Sequence, residues 1–189
     1  VGYAAGQFLN SMVDLASLPA DNATRQVVLS NATEAAGRFS AAGQQLDTVQ
    51  NGVTESLKAA VDQLNGLTSD MAKVNQQIAA SYGLGQRPND LLDERDRLIS
   101  QMSDLVQIST ISSDDGTVGV FIAGGQRLVL GNQASPMALV PDPEDSSRSS
   151  VAINDSGFFR VMPDGTLGGG SIAGYLQFQN HDLVDARNQ

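Results

Sequence analysis

Cysteine is absent from the 189 residues, which excludes a disulfide framework and a thiolate metal site and leaves the redox compartment open. Histidine occurs once, at His181, so no zinc site and no nucleophilic site can draw on a second histidine or a cysteine. Positive charge is scarce: 11 basic residues stand against 21 acidic ones, a formal net charge of -10. Nucleic acid or an anionic membrane surface would repel such a chain, so the expected partner is protein. Long apolar runs are missing as well. Residues 119–123 and 137–140 are among the longest, far short of the roughly 20 residues a bilayer crossing needs. No initiator Met or signal peptide opens the sequence and residues 182–189 still read as helix, so both ends are expected to be cuts in a longer parent.

Against these absences, 41% of the residues are apolar, enough to bury a core in one helical body with a smaller appended domain. Phe8, Leu9, Met12, Val13, Leu15 and Ala16 have helical spacing. That helix should stop at Leu18, because Pro19 disfavours the α conformation in the residue before it. Asp21 is the expected N-cap of the next helix. From residue 23 to 80 no proline interrupts a stripe in which Phe39, Leu46, Val53, Ala60, Leu67 and Val74 recur every seven. Ala42, Val49, Leu57, Leu64, Met71 and Ile78 accompany them. Unbroken, such a heptad helix would run about 85 Å at 1.5 Å per residue and would belong to a rod. Glycines at 37, 43, 52 and 66 weaken it, and a kink near Gly52 is left open.

Gly83 and Gly85 should end this helix and Asn89 or Asp90 should cap another, running to about Leu105. Its expected buried line is Leu91, Leu92, the Arg95 stem, Leu98, Ile99, Met102 and Leu105, with Asp93 and Arg97 as an i,i+4 ion pair. The period then changes to two at Val106, Ile108 and Thr110, at Val118, Val120 and Ile122, and at Leu128 and Leu130. Further strands are expected at 137–140, 149–153 and 158–162. Turn chemistry stands at 114–117, 123–126, 154–157 and 163–166. Gly168-Gly169-Gly170-Ser171 leads back into a helix with an inner face of Ile172, Leu176, Leu183 and Ala186. The expected fold class is α+β: an elongated antiparallel helical bundle with a long heptad helix and a small inserted antiparallel β domain. The expected division is a helical rod over 1–106, the β insertion over 107–168, and a return helix over 169–189 packing on the helical domain.

Pro88-Asn89-Asp90-Leu91-Leu92-Asp93-Glu94-Arg95-Asp96 resembles the P-N-D-L-L-D-x-R-D signature of the flagellar hook-associated protein 1 family. Residues 21–29, DNATRQVVL, are similar to that family's D-P-x-x-R-Q segment, and residues 169–178, GGSIAGYLQF, to its G-G-S-L-G-G-L-L-x-F return helix. Asn22 stands where the family has proline, Ala173 where it has glycine, and Gln177 departs from its apolar pattern. The resemblance implies a central piece of a structural protein of the bacterial flagellum, without the two terminal coiled-coil segments, at the junction of hook and filament. It implies stacking against copies of itself and against neighbouring axial proteins, the hook protein and hook-associated protein 3, in an extracellular location. It implies no enzyme activity and no cofactor; the isolated fragment is expected to be monomeric.

Other chemistry finds little support in the residues. No catalytic, cofactor-binding or metal-binding residue is expected. His181 reads as a polar helix position, and the 168–170 glycines lack GxGxxG spacing and a Walker lysine, so they read as a hinge rather than a phosphate cradle. Asp114-Asp115-Gly116 and residues 142–145 lack the bidentate glutamate of a calcium loop. Asp93 and Asp96 read as helix-start charge beside Arg95 and Arg97 rather than an acid–base pair. Two rivals stand beside the structural reading: an adhesin or receptor-contacting module on a helical stalk, and a hydrolase built on the sheet domain.

Overall fold

The computed structural model describes residues 1–85, 87–155, 157–163 and 165–188. The expected turns at 154–157 and 163–166 include Ser156 and Asp164, which lie outside the described residues, as does Gln189 at the end of the expected return helix. Two compact units divide the chain, one of residues 1–51 and one of residues 52–188.

The first unit is a pair of helices. Helix α1 (Gly2–Ser17) ends one residue before Leu18, whose N–H returns to the Asp14 and Leu15 carbonyls at 3.1 and 3.2 Å, and Pro19 then prevents continuation. Helix α2 (Asn22–Gly83) contributes its residues 22–51 here and is helical across Gly52. As expected, Asp21 caps it. Its carboxylate accepts the Thr24 N–H at 3.1 Å and the Thr24 hydroxyl at 2.6 Å, and the Thr24 hydroxyl is the main cause holding the Asp21 pKa below its ordinary value. Arg25 donates from Nη2 to the Pro19 carbonyl at 2.7 Å, fixing the connection. The short link turns the chain back, and Asn31 Nδ2 donates to the Gln7 carbonyl at 3.3 Å across the hairpin. What is buried here is small or polar: Ala4, Ser11, Val28, Ala35 and Gln50. Phe39, expected on the heptad core line, is 56% exposed. Two helices alone have no third surface to cover so wide a stripe.

The second unit holds the large side chains. The rest of α2 buries Leu57, Val61, Leu64, Met71 and Ile78, spaced by three, four or seven residues as one helix face requires. Helix α3 (Asn89–Leu105) adds Leu98, Met102 and Leu105 to the same core. Its N-cap is Pro88 rather than Asn89 or Asp90: the Pro88 carbonyl accepts the Leu91 and Leu92 N–H groups at 3.1 Å each, which places Asn89 and Asp90 inside the first turn. There Asp90 faces the positive helix end.

Two antiparallel sheets follow. The first runs β1 (Ile108–Ser112), β2 (Val118–Ile122), β3 (Gln126–Leu130) and β4 (Gln133–Ala134) in that order; the second runs β5 (Met137–Pro141), β6 (Ser149–Asp155) and β7 (Phe158–Val161). Period-two alternation marks strands but not which sheet each joins, and β4, two residues long, is too short to show a period. Val118, Val120, Ile122, Leu128, Met137, Val151 and Ile153 join the helical core. Helix α4 (Gly170–Gln177) passes through a π-helical turn (Phe178–Asp182) into α5 (Leu183–Asn188). Ile172 and Leu183 are buried on it and Leu176 partly so, while Ala186, expected inward, is exposed.

Candidate functional site

Within the second unit, the most specific polar chemistry lies where helices meet sheets. Asn75, fully buried, donates from Nδ2 to the Val118 and Gly131 carbonyls at 2.9 Å each and accepts the Val118 N–H at 3.0 Å. Ten residues earlier on α2, Asn65 donates to the Met137 carbonyl and accepts the Met137 N–H, both at 2.8 Å. In the π turn, the buried Gln179 accepts the Ser149 N–H at 3.1 Å and donates to the Ser149 carbonyl at 2.9 Å. A side-chain carboxamide carries the same donor and acceptor pair as a peptide group, so each amide acts as one residue of an extra strand. Val118, Met137 and Ser149 are the first residues of β2, β5 and β6. Three amides therefore fix where three strands begin.

The signature residues 88–96 serve the same junction. Arg95 keeps its stem partly buried, pairs with Asp96 at 2.8 Å and donates from Nη1 to the Gly116 carbonyl at 3.3 Å. Gly116 has φ +80, and a Cβ there would stand 2.7 Å from the Tyr82 ring, so this turn needs glycine to lie against α2. Asp115 accepts the Thr117 N–H at 3.0 Å and hydroxyl at 2.7 Å, and that hydroxyl is the first cause of its lowered pKa. The expected Asp93–Arg97 pair is replaced. Arg97 forks onto both carboxylate oxygens of Glu94 and reaches Gln101 at 3.1 Å. Glutamate, one methylene longer than aspartate, can offer both oxygens to the guanidinium from the i,i+3 position. This contact lowers the Glu94 pKa and raises that of Arg97.

The glycine run is a packed crossing and not a hinge. A Cβ on Gly170 (φ +74) would lie 2.4 Å from the Leu105 carbonyl carbon, and Gln107 N–H donates to the Gly168 carbonyl at 2.9 Å. Backbone meets backbone where α3 ends and α4 begins, which only glycine permits.

The acidic loop between β5 and β6 is held by its own carboxylates. Asp142 accepts the Glu144 and Asp145 N–H groups at 2.9 and 3.0 Å and the Ser150 hydroxyl at 2.6 Å; Asp145 accepts the Ser147 hydroxyl at 2.6 Å. Arg148 forms ion pairs with both acids, at 3.8 and 3.3 Å. Hydroxyl donors, from Ser150 and Ser147 respectively, are the first cause holding both pKa values down. Carboxylates filled by hydroxyl and amide donors in this way are turn-builders.

His181 is exposed in the π turn, on the rim of a cavity of about 320 Å³. Among the described residues no group of three or more His, Cys, Asp or Glu side chains is placed to hold a metal ion. Among the described residues no helix is long and apolar enough to cross a membrane. The exposed surface is apolar in places. Tyr3, Leu9, Val13, Leu29 and Phe39 are exposed in the first unit, and Phe158 and Phe159 in the second.

Residues 1–189 match the family model described as "Flagellar hook-associated protein FlgK helical domain". The chain is 34% identical over 184 residues to flagellar hook-associated protein 1 of Escherichia coli K12, covering 96% of this chain and 34% of that protein. It is 27% identical to the protein of that name from Bacillus subtilis 168, covering 96% of this chain and 38% of the relative. The solved structure of the flagellar hook junction protein FlgK from Burkholderia pseudomallei matches with a TM-score of 0.86 at 34% identity, over 94% of this chain and 32% of that one. The chain thus spans about a third of the length of these relatives.

Proposed function

The chain belongs to the flagellar hook-associated protein FlgK helical domain family, and from that premise we propose that it is a structural segment of the junction between hook and filament in a bacterial flagellum. Its parent stacks against copies of itself and against neighbouring axial proteins, the hook protein and hook-associated protein 3, outside the cell. The segment performs no chemical reaction and holds no cofactor. Residues 1–106 and 169–189 act as the helical part of the stack, and 107–168 as the β insertion carried on it.

One observation above all supports this reading. The buried Asn75 and Gln179 and the half-buried Asn65 fasten strands to helices, and Arg95, Asp96, Asp115, Asp142, Asp145 and Arg148 are engaged in turns and ion pairs. Such a body transmits load between neighbours. It is not arranged around a substrate.

The test is a segment exchange. The matching part of the E. coli relative is replaced by residues 1–189 in a strain lacking that relative, and swimming is measured. Restored swimming with filaments is expected. Hooks without filaments, despite export of a folded chimera, would contradict the proposal.

A further inference from the structure

The pair Asn-Gly occurs twice in the sequence, at residues 51–52 and 65–66, both times inside helix α2. Glycine has no Cβ to crowd its own nitrogen, so that nitrogen can reach the side-chain carbonyl carbon of the asparagine before it. In an α-helix two things prevent the approach: the backbone angle points the nitrogen away, and its N–H is bonded to the carbonyl four residues back. Reaction therefore needs a local opening of the helix, and its rate follows the free energy of that opening. The two asparagines differ in what an opening must break. Asn65 stands beside the fully buried Leu64, and its carboxamide donates to the Met137 carbonyl and accepts the Met137 N–H, both at 2.8 Å. Asn51 and Gly52 are exposed, and among the described residues from 36 to 56 only Gln50 is buried.

We infer that Asn51 is a site of spontaneous deamidation in the folded protein, while Asn65, in the same dipeptide, is shielded by its bonds to β5. At Asn51 the Gly52 nitrogen bonds to Cγ, the Cγ–Nδ2 bond breaks, and Nδ2 leaves as ammonia with the proton given up by the Gly52 nitrogen. Water then opens the cyclic imide at either carbonyl. One product is aspartate with the backbone unchanged; the other is isoaspartate, whose backbone runs through the side-chain carboxyl and gains a methylene. No oxidant or cofactor enters. Both products add a negative charge to a chain whose net charge is already -10. The isoaspartyl product also puts the hydrogen-bond ladder of α2 out of step at residue 51. The same change at Asn65 would remove the Nδ2 donor to the Met137 carbonyl, so the junction that shields this residue is the one its reaction would break.

Peptide mass spectrometry separates the two sites, because cleavage after Arg38, Lys58 and Lys73 places them in different peptides, 39–58 and 59–73. The unaltered chain is incubated folded and in guanidinium chloride, in mildly alkaline buffer made with heavy-oxygen water, so that only deamidation during the incubation carries the label. Unfolded, the two sites should react at comparable rates. Folded, Asn51 should react at least about tenfold faster than Asn65. A Cβ at Gly52 or at Gly66 meets nothing within 4 Å, so Gly52→Ala and Gly66→Ala both keep α2. The first should suppress the reaction at Asn51 several-fold, and the second should leave that site unchanged. An Asn51 that stays intact in the folded chain, equal folded rates at the two sites, or a reaction undiminished by Gly52→Ala would each overturn the inference. So would a difference that persists in full in guanidinium chloride, since neighbouring sequence and not the fold would then set it.

Discussion

Asn75 is fully buried and spends its carboxamide on three backbone groups. Asn75→Leu should cost about 3 kcal/mol, since the Val118 and Gly131 groups would be left buried without partners. Asn65→Leu, at a half-buried position, should cost about 1–2 kcal/mol by the same reasoning, and urea unfolding of the two variants gives the ranking. Gly170→Ala meets the Leu105 carbonyl and an unfavourable φ, and should cost about 2 kcal/mol or more. Gly174→Ala, facing open space within α4, should instead stabilise by about 0.5 kcal/mol. The carboxylates give a pH signature. Asp115 and Asp142 have folded pKa values below the ordinary 3.8, so their contribution is complete above that value and is lost as pH falls through the folded values. Thermal unfolding midpoints should therefore hold from neutrality to about pH 5 and decline below about pH 4, with a shallower decline in Asp142→Asn. Little of this was legible beforehand. None of Asn65, Asn75 and Gln179 stands out in the sequence, because a periodicity argument follows the apolar residues and cannot foresee a strand end arriving to pair with an amide.

Elements were far more legible than residues. Pro19, Asp21, Gly83 and the change of period after Val106 mark the limits of α1, α2 and the sheets within a residue or two, because each is a local backbone preference. The heptad stripe was legible as a helix but not as a core. Leu57, Leu64, Met71 and Ile78 are fully buried while Phe39 is exposed, since burial depends on what covers a stripe, and Leu57 to Ile78 share a core with α3 and both sheets. The same helix should consequently have two stabilities. Hydrogen exchange is expected to be fast at residues 24–48, where the buried side chains are small, and slow at 57–78, whose core is shared with α3 and both sheets. Equal protection along α2 would contradict this division. The π turn was invisible in the sequence; it appears where Gln179 turns inward to hold Ser149.

At the scale of the whole molecule, the family was readable from residues 88–96 because those positions serve the fold locally: Pro88 starts α3, Leu91 and Leu92 pack against the core, and Arg95 reaches the β1–β2 turn. What neighbours the assembled parent meets is a property of surfaces, and surface residues carry no period to read. The central claim is that this body exists to be stacked at the end of a hook. Electron microscopy of isolated hooks, incubated with a full-length parent whose segment 1–189 carries a visible label, tests it most directly. The account predicts label confined to one end of each hook, at the site where filament growth then begins. Label scattered along the hook, or absent from it while the parent binds a cell surface or another target, would contradict it.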